Sequence, residues 1–466
     1  MFGQLFRNKT GQRAAIHSHE IGQVFVEQLF EDRLDLRMVA AEGEDTPAGE
    51  EVEVFVPLGI PQIRPLAADV ALVEADRLEH LHEGRIDVLL VQRVRAIVML
   101  AQPRHKIGLH RPSMIATRAD LDTFPQWHGA FSSERKDWRY YEIVNDTLTG
   151  FEYRYLVLAD AIQPFFVLDQ DLVAGAPSNA LIKAVRKVWP RFLKMRTLMI
   201  GCAAGEGHLA LDAHTLAAEL PAIAKQFNAG LIVFKELPSR YRIDLKGFTR
   251  VPSMPMTRLE IDYDNFDDFV ARKLSKPTRK SLRRKLRATE GIKIDLQIVE
   301  DATPYVDEIH PLYLAVFERS KLHFEKLTKE FLSAIGRRMP DKVRFFIWRR
   351  DGKVIAFSLC MLHADTIYDE YLGLDYAVAY DLNLYFYTIR DIINWAIAHG
   401  LKWYVSSALN YEPKLHLKSE LAPLDLYVAH TSPLINAVMK RVLPLLEPTR
   451  NDPILRRFPN FSEVWG

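Results

Sequence analysis

The sequence predicts an α/β (α+β) chain: mixed central sheets flanked by helices, in two consecutive units over 126–255 and 256–466, behind a separate mixed module at 1–125. Three observations predict it. The two later stretches share an order of paired strands, a third strand, a helix and another strand. The piece "RRDGK" sets Asp351-Gly352 between two alternating apolar runs, a strong hairpin signal. Residues 381–399 place Leu382, Tyr385, Phe386, Ile389, Ile392, Ile393 and Ala396 on one helical stripe, with Asp381 as cap and Gly400 as terminator.

Within 1–125, "EVEVFVPLGI" and "RIDVLLVQRVRAIVML" read as strands and "AADVALVEADRLEHLHEG" as a helix, with no chemistry attached. "FEYRYLVLAD" and "AIQPFFVLDQDL" are consecutive strands, "PSNALIKAVRKVW" a helix and "RTLMIGC" a strand. "LAAELPAIAKQFNAG" is a helix ending at Gly230, and "GLIVFKELP" a buried strand. The second unit opens with the strand "TRLEIDY", a basic helix and "IKIDLQIVE", followed by helices in "VDEIHPLYLAVFERS" and "KEFLSAIGRRM". The hairpin meander and the long helix come next. "LKWYVSSAL" and "LDLYVAHTS" supply its closing strands, and "PLINAVMKRVLPLLEP" a terminal helix.

At 466 residues the chain is long enough for about three domains. Its 48% hydrophobic and 26% charged residues are those of a globular protein rather than a disordered one. Cys202 and Cys360 stand far apart with no CxxC pair, which argues against a disulfide framework or a cysteine zinc site, and no metal is expected. The amino terminus lacks an apolar core of signal-peptide length, and no apolar run reaches the roughly 18 residues of a membrane span, so a cytoplasmic location is expected. A net charge of +1 excludes wholesale coating of nucleic acid but not a local anion site.

Such a site is suggested by "LSKPTRKSLRRKLRATEG". Ser275 can cap a helix, Pro277 fits its first turn and Gly291 stops it. Leu282 and Leu286 give a narrow buried stripe, leaving Lys276, Arg279, Lys280, Arg283, Arg284 and Arg287 on the other faces. Cations in a first helical turn oppose the macrodipole, and an anion would relieve their crowding; a solvated charged face is the plainer alternative. In "IGCAAGEGHLALD", Gly201, Gly205 and Gly207 are structural glycines of a bulge, or let backbone amides approach a donor. The segment also looks like the first motif of S-adenosylmethionine methyltransferases, with Glu236 as a ribose ligand, but Ala203 stands where that motif has glycine. In "TIYDEYLGLDY" strict alternation puts Tyr368 and Glu370 on one face and Asp369, Tyr371 and Asp375 on the other.

A meander followed by a long helix and a strand resembles the core of the GNAT acyltransferase fold. Two in tandem resemble the Fem-type peptidoglycan aminoacyltransferases and their GNAT-like relatives. The residues carrying this are "WRYYEIV", "YRYLVLADAIQPFFVLDQDLVAG" and "LMIGCAAGEGHLAL" in the first unit, and "LSKPTRKSLRRKLR", "IYDEYLGLD" and "YEPKLHLKSELAPLDLY" in the second. The resemblance implies an N-acyltransferase with an acyl-CoA such as acetyl-CoA as co-substrate and a small-molecule or peptide-precursor amine as acceptor. Transfer of an acyl group to an amine needs a base for the ammonium proton and a donor for the oxyanion. Asp369 or Glu370 is the candidate base, with the Tyr371 hydroxyl beside it. Lys414 and Lys418 resemble the family's lysine before the last strands, Lys418 being the better match, and Tyr380 and Asn383 stand where a cofactor would meet the long helix. The segment "DYAVAYDLNLY" departs from the family's glycine-rich loop, and Asp381 would repel a pyrophosphate. The alternatives are therefore an aminoacyl-tRNA donor, which the basic helix suits, or a non-catalytic module that binds RNA or another anion. The two classes separate on whether Asp369 and Glu370 face a pocket or are locked by arginines.

Overall fold

A computed structural model describes residues 114–158, 160–171, 194–320 and 323–466; the expectations for 1–113 and for a helix at 177–189 lie outside the described residues. Both sheets belong to the compact unit Ile107–Gly466. In chain order it begins with β1 (Met114–Ala116), α1 (Trp138–Thr147), β2 (Glu152–Leu158), β3 (Ala161–Asp171), β4 (Lys194–Ile200), α2 (Ala213–Gln226), β5 (Leu231–Pro238) and β6 (Thr249–Pro252). There follow β7 (Met256–Glu260), α3 (Phe266–Lys273), α4 (Lys276–Leu286), β8 (Asp295–Val299), α5 (Val306–Phe317), α6 (Lys329–Arg338), β9 (Val343–Arg350), β10 (Lys353–His363) and β11 (Thr366–Leu374). The chain closes with α7 (Leu384–Ala398), β12 (Trp403–Ser406), α8 (Tyr411–His416), β13 (Glu420–Ala422), β14 (Leu424–His430) and α9 (Pro433–Leu446).

Two seven-stranded mixed sheets result, in the orders β1-β2-β3-β4-β5-β14-β6 and β8-β9-β10-β11-β12-β7-β13. The orders correspond slot by slot. Only β4 with β5 and β11 with β12 run parallel, each pair bridged by a crossover containing one helix, α2 or α7. The sixth slot of each sheet is filled by a strand from elsewhere in the chain. β14 enters the first sheet between β5 and β6, and β7 enters the second between β12 and β13. The expected closing strand "LDLYVAHTS" thus belongs to the first sheet, and the unit drawn at 256–466 does not keep all its residues to itself. The first sheet also reaches back to Met114, before the expected start at 126.

β10 is apolar on both faces because helices cover both. Phe357, Leu359 and Met361 share a cluster with Tyr313 of α5 and Phe331 of α6, while Cys360 joins Ile389 and Ile392 of α7. The β9–β10 turn takes the form its sequence predicts, Asp351 and Gly352 both at positive φ, 52° and 79°. α7 begins three residues later than expected. Its N-cap is Asn383, left-handed at φ 48°, rather than Asp381, and no side chain caps its first amides.

The glycine segment after β4 is explained by close packing. A Cβ on Gly207 would stand 2.5 Å from the Lys235 carbonyl oxygen and 3.0 Å from the Gly201 Cα, both backbone. Gly207→Ala is therefore expected to destabilise the protein by about 1–3 kcal/mol. A urea titration should show a lower midpoint with an unchanged slope; an unchanged midpoint would refute the packing argument.

Candidate active site

β11 and β12 pair from Thr366 with Trp403 to Asp369 with Ser406, and a last bond runs from the Ser407 N–H to the Asp369 carbonyl at 3.1 Å. Beyond it the strands part. The segment leaving β12 passes through Leu409 at φ 74° and Asn410 at φ 48°. For a residue as bulky as leucine this conformation is strained, and such strain gathers at functional sites. Lys414 holds this turn: its ammonium donates to the Ser407 carbonyl and, at 2.9 Å, to that of Leu409. Burial pulls it down to about 7, with Asp369 acting the other way. Asp369 accepts from the Ser358 hydroxyl and from the Tyr404 hydroxyl at 2.7 Å. Burial raises its carboxyl despite those bonds.

The opposite face of β11 is set by a bulge. Leu359 opposes Tyr371 while its neighbour Cys360 opposes Asp369, so Glu370 is an extra residue in the ladder. Tyr371 therefore clusters with Tyr368 rather than lying with Asp369 as strict alternation expects. Its hydroxyl donates to Glu325 Oε1 at 2.8 Å. Glu325 is half-buried, on the loop after α5. Burial raises its carboxyl, partly offset by Lys235 and by the Tyr371 hydroxyl. Lys235, near the end of β5, pairs with Glu236 and donates to the Gly205 carbonyl at 2.8 Å. Glu236 is itself left-handed at φ 51° and lies 3.3 Å from the Ser253 hydroxyl. Both sheets thus contribute to this face.

A buried ion cluster joins the sheets beside it. The Arg135 guanidinium bonds Glu206, lies 2.9 Å from Glu370 Oε1, and stacks 3.7 Å from the centroid of the Tyr368 ring. The fully buried Lys136 donates to Glu206 Oε2 at 2.8 Å and to the Ala204 carbonyl at 3.1 Å, with Glu370 Oε2 at 3.9 Å. Burial alone would raise the Glu206 carboxyl, but the two cations outweigh it and hold it well below the usual range. His208 behaves oppositely: burial, reinforced by Lys136, Arg135 and Arg240 against Glu206, pulls its imidazole down to about 3.

The structure sorts the sequence-predicted residues. Glu370 is locked by Arg135, the outcome set against a role as base, and Asp369 is enclosed by Ser358 and Tyr404. Asp375 pairs with Lys353 at 2.6 Å, away from either group. Lys418 is exposed at φ 64°, whereas Lys414 is the lysine near Asp369. Tyr380 is 74% exposed with its ring 5.5 Å from that of Tyr376, and Asn383 starts α7. Glu236 is engaged by Lys235 and Ser253, which removes the ribose-ligand reading.

In α4, Lys276, Lys280, Arg283 and Arg284 are exposed, and Arg279 donates to the Ala271 carbonyl at 2.6 Å. The flanking ion pairs, Arg272 with Asp268 and Lys293 with Asp295, lie outside this run. Lys285 sits 3.8 Å above the Phe386 ring, Phe386 packs on Tyr385, and Tyr385 feels Asp369. The basic helix thereby lies along the first turns of α7, next to the place where β11 and β12 part. Sequence reasoning missed Glu325, Arg135, Lys136 and Glu206 as site residues. The first is in an unpatterned loop, and Arg135-Lys136 reads as an ordinary charged run before a helix cap.

Residues 211–414 match the FemAB-like family, described as peptidoglycan biosynthesis/recognition. Over this stretch the chain is similar to that family. It runs from just before α2 into α8 and includes α4, β11, Glu325 and Lys414. Among solved structures, the chain is similar to L-PGS from Bacillus licheniformis, at 12% identity over 73% of this chain and 99% of that one, with a TM-score of 0.42. FemX is similar at 10% identity over 71% and 100%, TM-score 0.43. A tandem GNAT protein from the clavulanic acid biosynthesis pathway is similar at 10% over 69% and 99%, TM-score 0.39. None of these likenesses assigns a role to a residue. No curated protein matches the sequence.

The ion cluster makes a pH prediction. With a folded value of about 3 against an unfolded value near 6.5, His208 stays neutral in the native state while the unfolded chain takes up a proton. Its contribution to stability is whole above pH 6.5 and is lost as pH falls toward 3, at up to about 1.4 kcal/mol per pH unit. Urea midpoints between pH 7 and 5 should fall more steeply for the wild type than for His208→Gln. Parallel curves would show that this imidazole titrates normally.

Proposed function

We propose that the chain is an acyltransferase that moves an acyl or aminoacyl group from a phosphate-bearing donor to an amine acceptor. The observation that carries this reading is the Tyr371–Glu325 pair, in which Tyr371 stands on β11 two residues beyond the point where β11 and β12 part. A half-buried carboxyl whose proton affinity is raised by burial is a stronger base than an exposed carboxylate. In the step proposed, Glu325 takes one proton from the acceptor ammonium and the freed nitrogen attacks the donor carbonyl carbon. A C–N bond forms, the C–O or C–S bond to the carrier breaks, and the leaving group carries off the second proton.

The carrier is read from α4. Its exposed Lys276, Lys280, Arg283 and Arg284, together with Arg279, offer a cationic strip beside α7, which suits the phosphates of a charged tRNA. An acyl-CoA donor is the second reading, favoured by the uncapped first turn of α7. The exposed Asp381 and the glycine-free turn before that helix weigh against it.

The direct test supplies the full chain with acetyl-CoA, a long-chain acyl-CoA and charged tRNA, reading amide formation and thermal shift. A donor at a hundredfold excess over Kd should stabilise the fold by about 2.7 kcal/mol; no response to any of the three would overturn the reading. Glu325→Gln should lower kcat by about 10²- to 10⁴-fold while leaving the donor-induced thermal shift in place. Reversing Lys280, Arg283 and Arg284 to Glu should weaken donor binding and make it less salt-dependent, by a slope of about 0.7 to 0.9 per lost contact. Unchanged affinity and slope would detach the strip from the donor.

A further inference from the structure

The terminal helix α9 plays no part in the site described above, yet it carries most of the large apolar side chains left exposed among the described residues. It rests on the first sheet through Met439 and Leu443. Asn436 fixes its start, accepting from the His430 N–H and donating to the Gly247 carbonyl at 2.8 Å. Leu434 (78% exposed), Ile435, Val438, Val442 and Leu445 (66% exposed) remain uncovered. At about 100° per residue these five fall within an arc of about 100°, beside the buried face rather than scattered around the helix.

We infer that α9 is a docking surface for an anionic lipid bilayer, lying flat with this stripe among the acyl chains. Charge complementarity decides in favour of that occupant. The helix "PLINAVMKRVLPLL" contains no acid. Lys440 and Arg441 are exposed on it, and Lys246 is exposed next to Gly247, which Asn436 holds. The exposed carboxylate in that loop is Asp244. Arg441 falls just outside the Leu434 edge of the stripe, whereas Lys440 lies on the far side of the helix, and an apolar stripe edged by a cation and free of acids is what an interfacial helix presents to acidic headgroups. A second copy of the chain fits less well. Antiparallel pairing of two such stripes about their midpoint would bring the Arg441 side chains of both copies together, with no acid on either helix to compensate.

Flotation of the full chain at physiological salt with vesicles of phosphatidylglycerol and phosphatidylcholine, against vesicles of phosphatidylcholine alone, tests the inference. Binding is expected to the anionic vesicles and to fall at least tenfold in Val438→Ser/Val442→Ser/Leu445→Ser, which removes no charge and leaves the cations of α4 in place. Lys440→Glu/Arg441→Glu should lose binding as well. Anionic-vesicle binding unaffected by the serine variant would assign it to other cations and overturn the inference. So would absence of binding, or a dimer in sedimentation velocity that the serine variant converts to monomer. Circular dichroism of each variant separates loss of binding from loss of fold.

Discussion

The buried charges Arg135, Lys136 and Glu206, with the largely covered Glu370, tie the molecule together. Two cations and two carboxylates sum to zero, which makes their enclosure tolerable: an unpaired ion in that position would face several kcal/mol of desolvation. The four come from three places, the turn before α1, the loop after β4, and the bulge in β11. Only when both sheets are assembled does each charge have its partners. The cluster therefore works as a registration device, and the feature it registers is the bulge. With Glu370 drawn to Arg135 and Lys136, the next residue, Tyr371, is turned onto the same face, where its hydroxyl reaches Glu325.

A second constraint comes from connection lengths. β6 and β7 belong to different sheets but are joined by residues 253–255 alone, and β13 and β14 by residue 423 alone. A chain spans at most about 3.6 Å per residue, so the two sheets are held side by side where the strands exchange. The Ser253 N–H bonds the Leu424 carbonyl at 2.8 Å, stitching the two crossings together. Neither sheet can be completed without the other's part of the chain. The pairing of β5 with β14 across nearly 190 residues makes assembly a late, long-range event, and slow folding follows from such topology.

Much of this was legible in the sequence, and what was not has identifiable reasons. The hairpin at Asp351-Gly352, the stripe on α7 and the cap and proline of α4 are local: each depends on residues within a turn or two. The run along the chain of paired strands, a third strand, a helix and another strand in each half was legible for the same reason. The placement of β14 was not, because a half-buried strand has the same alternation whichever sheet takes it. The bulge at Glu370 also escaped, since it lies in the pairing of β11 with β10 and not in β11 alone. Period 2 therefore put Tyr371 on the wrong face. The resemblance favoured Lys418 over Lys414, four residues before it, and burial, which only the structure shows, favours Lys414. Glu325 sits in a loop, where periodicity carries no information about what a side chain meets.

The duplicated topology also creates two equivalent partings, and the chain treats them differently. Each sheet has a parallel pair that runs for four residues and then diverges, β4 with β5 and β11 with β12. In the first sheet β4 stops at Ile200, where the pairing stops, and the chain turns back through residues 201–207. The Gly201 N–H goes to the Pro164 carbonyl and the Gly207 N–H to that of Glu236, while Gln163 bridges the His208 carbonyl and the Ala210 N–H. Two of the three glycine amides that the sequence offered as a phosphate cradle are thus spent on the fold, and the chain itself occupies the space beyond the parting. In the second sheet β11 runs on past Asp369 to Leu374, supported by β10, while β12 turns away. Next to that parting stand Asp369, Tyr404 and Lys414 on one face of β11 and Tyr371 with Glu325 on the other. The first sheet acts as a platform: its loop after β4 supplies Glu206, its β5 supplies Lys235, and both support groups presented by the second.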